Sequence, residues 1–252
     1  MVAWRVVLLR LSVFTVLAVG ACVPEDKPGR ASGANSAAPA SAPFHVVDPN
    51  AGAGPKLEAR FTDSFERADL GADWNVTGPG WSLKEGRLCV AGAHNHPAWL
   101  RRRLPVNARI EFEATSASSE GDLKAEAWGD GSSAATGASY RDATSYVVIY
   151  GGWKNTMHVL ARLDEHAKDR TELRVEPGES DPRAQPVLAD RTYRFKIERS
   201  DGQTVRYFVD DIEILSLKDP HPLTGEGHDH FGFNDWQVPV CFDNLIITPL
   251  KS

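Results

Sequence analysis

Several groups of residues in this sequence have the types and spacing that chemistry needs. The first is Tyr150, Gly151-Gly152-Trp153-Lys154-Asn155, then Arg162, Glu165, His166 and Arg170. An indole packs on the apolar C–H face of a pyranose, while planar amide, carboxylate and guanidinium groups bond hydroxyls. The two glycines let the backbone turn and come close to a ligand. Tyr150, Trp153, Asn155, Arg162, Glu165 and, from a later stretch, Trp236 are the candidate ligand-binding residues. The competing reading is a hairpin turn with an inward-packed Trp and a surface set of ion pairs. Glu165 beside His166 is the nearest acid/base pair for catalysis, although neighbours in sequence need not converge on one substrate.

The second group is two His-x-His pairs, His94/His96 and His228/His230, with Asp229 and Asp235 close by. On a strand, i and i+2 share a face and offer two imidazoles to one metal. Asn95 and Pro97 argue for a turn instead, so no metal set is assigned and no cofactor is called for. A Ca²⁺ ion in a loop has no residue set behind it. The third group is Asp229–Trp236, where Phe231 and Phe233 read as core while Asn234 and Trp236 sit at a strand end. Glu111 and Glu113 alternate with Ile110 and Phe112, which makes them a solvated face.

The elements that must position these groups are strands. From Glu58 onward period-2 alternation recurs: Ile110, Phe112 and Ala114 against Arg109, Glu111 and Glu113, and Tyr193, Phe195 and Ile197 against Arg194, Lys196 and Glu198. Asp201-Gly202 supplies a two-residue hairpin turn. Tyr146–Tyr150 is apolar on both faces, so its outer face is covered by loops or lines a groove. Stretches 115–121, 129–143 and 177–190 read as loops. The composition agrees with many short strands and turns (21 Gly, 16 Pro, 7 Trp). With 28 Lys+Arg against 34 Asp+Glu the chain is acidic, which argues against a nucleic-acid partner. Residues 58–252 form one all-β domain, a sandwich or barrel.

The first 57 residues read as an address and a tether. Arg5 and Arg10 flank a short apolar stretch, Leu11–Val19 follows, and the segment ends in Val19-Gly20-Ala21-Cys22, the order of a secretory signal. The four-residue run resembles the lipobox of bacterial lipoproteins, which implies a signal peptide over 1–21, lipidation of Cys22 and a lipid anchor in the cell envelope. The alternative is an ordinary signal peptide with a free Cys22. Residues 22–57 then form a Pro/Ala/Gly/Ser-rich linker that cannot bury enough surface to order itself. With Cys22 taken by lipid, Cys89 and Cys241 are left, and in an exported protein they read as a disulfide or as two buried thiols.

Phe65-Glu66-Arg67-Ala68-Asp69-Leu70-Gly71, Trp74, Gly80–Leu88, Ile197–Gly202, Tyr207–Asp211 and Phe242–Ile247 together resemble the concanavalin A-like jelly rolls of LamG and laminarinase type. They are particularly similar to the DUF1080 (3-keto-disaccharide hydrolase-like) branch, apart from Asp210-Asp211, where that family usually has a Gly. The resemblance implies a jelly-roll β-sandwich of two antiparallel sheets, with a concave face that often binds carbohydrate. Its first and last strands would be neighbours, which favours the Cys89–Cys241 bridge. The Glu-x-Asp-x-x-Glu run of the glucanases is absent: the nearest match, Glu111–Ser116, ends in Ser. The expectation is therefore an extracytoplasmic, lipid-anchored protein whose jelly roll binds a glycan or polysaccharide without turning it over. A glycoside hydrolase or lyase and a structural or protein-interaction sandwich are the alternatives.

Overall fold

The computed structural model describes residues 54–251. The signal segment, Cys22 and most of the linker lie outside the described residues. In chain order the strands are β1 (Phe61–Asp63), β2 (Trp74–Val76), β3 (Ser82–Lys84), β4 (Arg87–Val90), β5 (Ala98–Leu100), β6 (Ala108–Ser116), β7 (Leu123–Gly129) and β8 (Tyr146–Gly151). After them come β9 (Met157–Arg162), β10 (Thr171–Arg174), β11 (Thr192–Arg199), β12 (Thr204–Val209), β13 (Ile212–Lys218), β14 (His230–Asn234) and β15 (Val240–Pro249).

These strands form two antiparallel sheets, a jelly-roll sandwich. The first is ordered β13-β12-β11-β6-β15-β4-β3, with β1 also paired to β15; the second is ordered β10-β9-β8-β7-β14-β5-β2. Alternation decides what fills the space between them. Ile110, Phe112, Ala114, Phe195 and Ile197 of the first sheet meet Leu123, Ala125, Phe231 and Phe233 of the second. Phe112 lies at the centre, stacked on Phe195 at 4.9 Å and edge-on to Phe233 at 5.1 Å. Each such buried ring contributes about 1.5–3 kcal/mol. The polar alternates of β6 and β11 pair across the outer face of the first sheet, Glu111 opposite Lys196 and Glu113 opposite Arg194.

The second sheet is different, because its outer face is also covered. Segment 130–145 lies over it, and Tyr140 and Ala143 pack on Val147, Ile149, Val159 and Ala161 as a second apolar cluster. Trp99 Nε1 donates to the Ser133 carbonyl at 2.8 Å and Asn75 Nδ2 to that of Gly131 at 3.0 Å, which ties the segment down. The two-sided apolar run of β8 thus has a physical cause.

Local departures from the expected pattern are small. Trp74–Val76 forms a strand that no alternation announced, and its Trp74 stacks on Phe233 at 5.6 Å. The β11–β12 hairpin closes with Ser200–Gln203 rather than with two residues. There Asp201 Oδ1 accepts the amides of Gln203 and Thr204. Asp210-Asp211 makes the two-residue turn between β12 and β13, both at positive φ (49° and 68°), a conformation Asp tolerates better than most residues.

Cys89 of β4 and Cys241 of β15 are direct register partners and are bonded to each other, with Cα atoms 4.0 Å apart and a sequence separation of 152. Closing so long a loop removes about 5 kcal/mol of denatured-chain entropy in the loop model. Cys89→Ala/Cys241→Ala is expected to lower the thermal midpoint by roughly 5–15 °C at matched pH. Differential scanning calorimetry checks this, and an unchanged midpoint would show that the bond adds no stability.

Candidate functional site

The cover over the second sheet is incomplete at one end. There a cavity of about 250 Å³ opens to solvent, walled by Trp153, Trp236, His166 and Ile149, with Asp122, Lys124 and Glu165 at its base. Three loops and a strand build it. Lys124 comes from β7, on the outer face beside Asn234 of β14 and Ile149 of β8. Glu165 and His166 follow β9, Trp236 follows β14, and Trp153 sits in the β8–β9 turn.

That turn is a single left-handed one. Trp153, Lys154 and Asn155 have φ of 50°, 58° and 62°, following Gly151 at 77°. Each non-glycine residue held there costs roughly 1–2 kcal/mol. Asn155 offsets part of the cost: its Nδ2 donates to the carbonyls of Ser119 and Val187, and its Oδ1 accepts the Val187 amide. Gly151 is required, since a Cβ there would lie 2.5 Å from Val187 Cγ2. The result is an indole held partly exposed, with Arg170 over one face at 4.5 Å and His166 edge-on at 5.5 Å.

Beneath the cavity lies a buried polar network. Lys124 Nζ donates to Glu165 Oε2 at 2.9 Å and to Asn95 Oδ1 at 2.8 Å. Glu165 Oε1 lies 3.4 Å from His166 Nε2. Burial alone would depress the Lys124 ammonium, but Asp122, Glu165 and Asp235 around it raise it. Asp122 Oδ2 accepts the Trp236 amide at 3.1 Å, and burial pushes its carboxyl up. Asp235 is fully buried and accepts the Gly92 and Ala93 amides; burial and the charge of Asp122 push it up to about 7. Two residues along β7, on the same face, Glu126 accepts from Tyr140 Oη at 2.9 Å, Ser145 Oγ at 2.5 Å and Asn234 Nδ2 at 2.6 Å. Burial still raises it to about 7 against those donors.

Of the residues singled out from the sequence, Trp153, Glu165, His166 and Trp236 come together here. Three others do not. Tyr150 points between the sheets, stacked on His158 at 4.0 Å, because β8 alternates and Tyr150 shares the inward face with Val148. Arg162 is at the far end of β9, where Nε donates to Asp219 at 2.7 Å and Nη2 to the His221 carbonyl. Asn155 uses its amide on the turn. One histidine of each pair lies against backbone, His96 Nδ1 2.9 Å from the Ala93 carbonyl and His228 Nδ1 2.7 Å from that of Thr144, while His94 packs edge-on to Trp236 and His230 lies beside Asp229. Asp122 and Lys124 were not anticipated, and Asp235 and Asn95 were singled out only beside the histidine pairs. The available signal was the two-sided β8, which implies that its neighbour's polar alternates are buried too.

Residues 91–245 match the family model described as "Domain of unknown function (DUF6250)". The chain belongs to the DUF6250 family. No curated protein matches this member. Solved structures resemble it in fold. The carbohydrate-binding module CBM66 from Bacillus subtilis superimposes with a TM-score of 0.51 at 14% identity, over 71% of this chain and 97% of that one. A structure from work on endo-acting O-glycanases, expressed by prominent members of the human gut microbiota to initiate mucin breakdown, gives 0.51 at 11%, over 76% and 99%. A sialidase gives 0.50 at 11%, over 76% of this chain and 18% of that one. At these identities the likeness is one of architecture. The motif resemblance to the DUF1080 branch likewise carries the jelly roll and no activity.

A carboxyl that keeps its proton to about 7 in the folded DUF6250 domain, but loses it near 4.5 when unfolded, makes the folded state the better proton binder between those values. Its contribution is complete below about 4.5 and lost as pH rises to about 7. The buried His158, pushed down to about 4, works in the opposite sense over much of this window, so the test is a difference between variants. Relative to the parent, Glu126→Gln is expected to gain stability as pH is raised through the window and to run parallel to it above. Urea unfolding at a series of pH values measures this; parallel curves throughout would mean that Glu126 titrates normally.

Proposed function

We propose that this chain is a cell-envelope lipoprotein, anchored through Cys22, whose sandwich binds a glycan in the cavity walled by Trp153 and Trp236. The observation that carries the reading is this cavity: two partly exposed indoles around a fixed set of hydrogen-bonding groups, open to solvent on an otherwise covered sheet face. Pyranose rings bring an apolar face and a girdle of hydroxyls, and these walls meet both needs. Arg170 over the Trp153 ring, 4.5 Å from its centroid, holds the indole in place at the cavity wall. The solved jelly rolls of similar architecture include a carbohydrate-binding module, which agrees with the reading.

Binding without turnover is the reading taken. Glu165, the carboxylate of this cavity that lies beside an imidazole, has its Oε2 taken up in an ion pair with Lys124. A hydrolase or lyase acting through Glu165 and His166 is the rival, and it is distinguished by product.

A glycan array probed with the mature protein is expected to give binders without release of reducing ends. Trp153→Ala and Trp236→Ala should each weaken the best of them by about tenfold or more. Intact binding in both variants would remove the proposed site, and steady release of reducing ends would replace the binding reading by the enzymatic one. Mass spectrometry of the membrane fraction is expected to find Cys22 as a lipid-modified first residue; a water-soluble chain with an unmodified terminus would refute the anchor.

A further inference from the structure

We propose that the glycan taken by this cavity carries free amines: a hexosamine in its unacetylated, ammonium form. The inference deepens the glycan-binding reading and rests on it. The balance of fixed charge comes first. At the base of the cavity Asp122 and Glu165, with Asp235 behind them, are met by one ammonium, that of Lys124. Lys124 is taken by Glu165 and Asn95, so Asp122 forms no ion pair among the described residues. Asp235 Oδ1 is fully buried and has no hydrogen-bond partner. The charges around this base do not restore the balance. Glu120 and Lys154 at the rim offset each other, and Arg170 is paired to Glu172. A site built this way is short of positive charge.

The walls are suited to supply a place for it. Indole faces attract cations through their quadrupole as well as packing on C–H groups. Asp122 is tied to the backbone of one of these tryptophans, its Oδ2 accepting the Trp236 amide at 3.1 Å, and both line the cavity. A hexosamine bears its amine on a ring carbon, next to the C–H face that stacks. One sugar can therefore place a ring against an indole and an ammonium against Asp122 and Glu165 together. A uronate or sulfated sugar would instead bring a further negative group against two carboxylates in a poorly solvated recess, which is repulsive. An acetylated sugar leaves the deficit to be met by protons.

The test compares glucosamine oligosaccharides, N-acetylglucosamine oligosaccharides of the same length and galacturonate oligosaccharides, titrated calorimetrically into the full chain. The glucosamine oligomer is expected to bind about tenfold or more tighter than its acetylated counterpart, the worth of one charge-assisted hydrogen bond, and the galacturonate oligomer weakest. Asp122→Asn should reduce that preference to about twofold or less. Asn tolerates the positive φ of 63° and keeps an oxygen for the Trp236 amide, so the variant is built to fold. Should its thermal transition nevertheless be lost, Glu165→Gln, which keeps an amide oxygen for Lys124, must lower the same preference. Equal binding of the amino and acetylated oligomers, or a preference for galacturonate, with Trp153→Ala still weakening binding, overturns the inference and leaves the glycan reading standing. Absence of binding to every glycan on the array removes both.

Discussion

An ammonium group sealed away from water governs the geometry of this site. Lys124 stands on the outer face of the second sheet, where an ordinary sandwich would leave it hydrated. Here the segment 130–145 closes over that face, and a buried charge without partners would cost several kcal/mol. Two separate loops answer it, one with Asn95 and one with Glu165. The same requirement repeats one pleat further along, where Glu126 is met by Tyr140, Ser145 and Asn234. Tyr140 and Ser145 belong to the covering segment, so polar satisfaction fixes how the cover sits on the sheet. The opening that remains, with its indoles, is defined by where that cover stops.

Much of the architecture was legible in residue order because alternation reports which side of a strand meets the core. The alternations read over 109–114 and 193–198 fall within β6 and β11, and the two-sided run Tyr146–Tyr150 falls within β8. β2 escaped because three residues are too few to show a period. The site was legible only in part. Trp153 and Trp236 announce themselves by type, and Glu165 by its company. Lys124 and Asp122 do not, because a charged residue alternating with apolar ones carries the same pattern whether its face is wet or covered. What separates the cases is β8, apolar on both sides, and that information sits on the neighbouring strand. Tyr150 and Arg162 were misplaced for a related reason: a cluster in sequence is split by the pleat, and residues at opposite ends of a six-residue strand do not meet.

The two sheets also differ in what their outer faces carry. The first carries a solvated outer face of crossed charges, Glu111 with Lys196 and Glu113 with Arg194, and holds half of the aromatic core. The second bears the cover, the buried ions and the left-handed turn that displays Trp153. Strain of that kind persists only where surrounding bonds over-determine it, and Asn155 supplies three. An indole held this way loses little freedom when something stacks on it, which lowers the entropy cost of association.

The Cys89–Cys241 bond has a consequence beyond cross-linking the chain. Cys89 stands at the root of the loop carrying Asn95, and Cys241 shortly after the loop carrying Asp235 and Trp236. Those two loops are bonded to each other, His94 amide to Trp236 carbonyl and Asn95 amide to Asp235 carbonyl. The sulfur link therefore staples the roots of one wall of the recess. Reduction of this one bond would loosen the wall of the recess at both of its roots while leaving the sheet ladder between β4 and β15 in place.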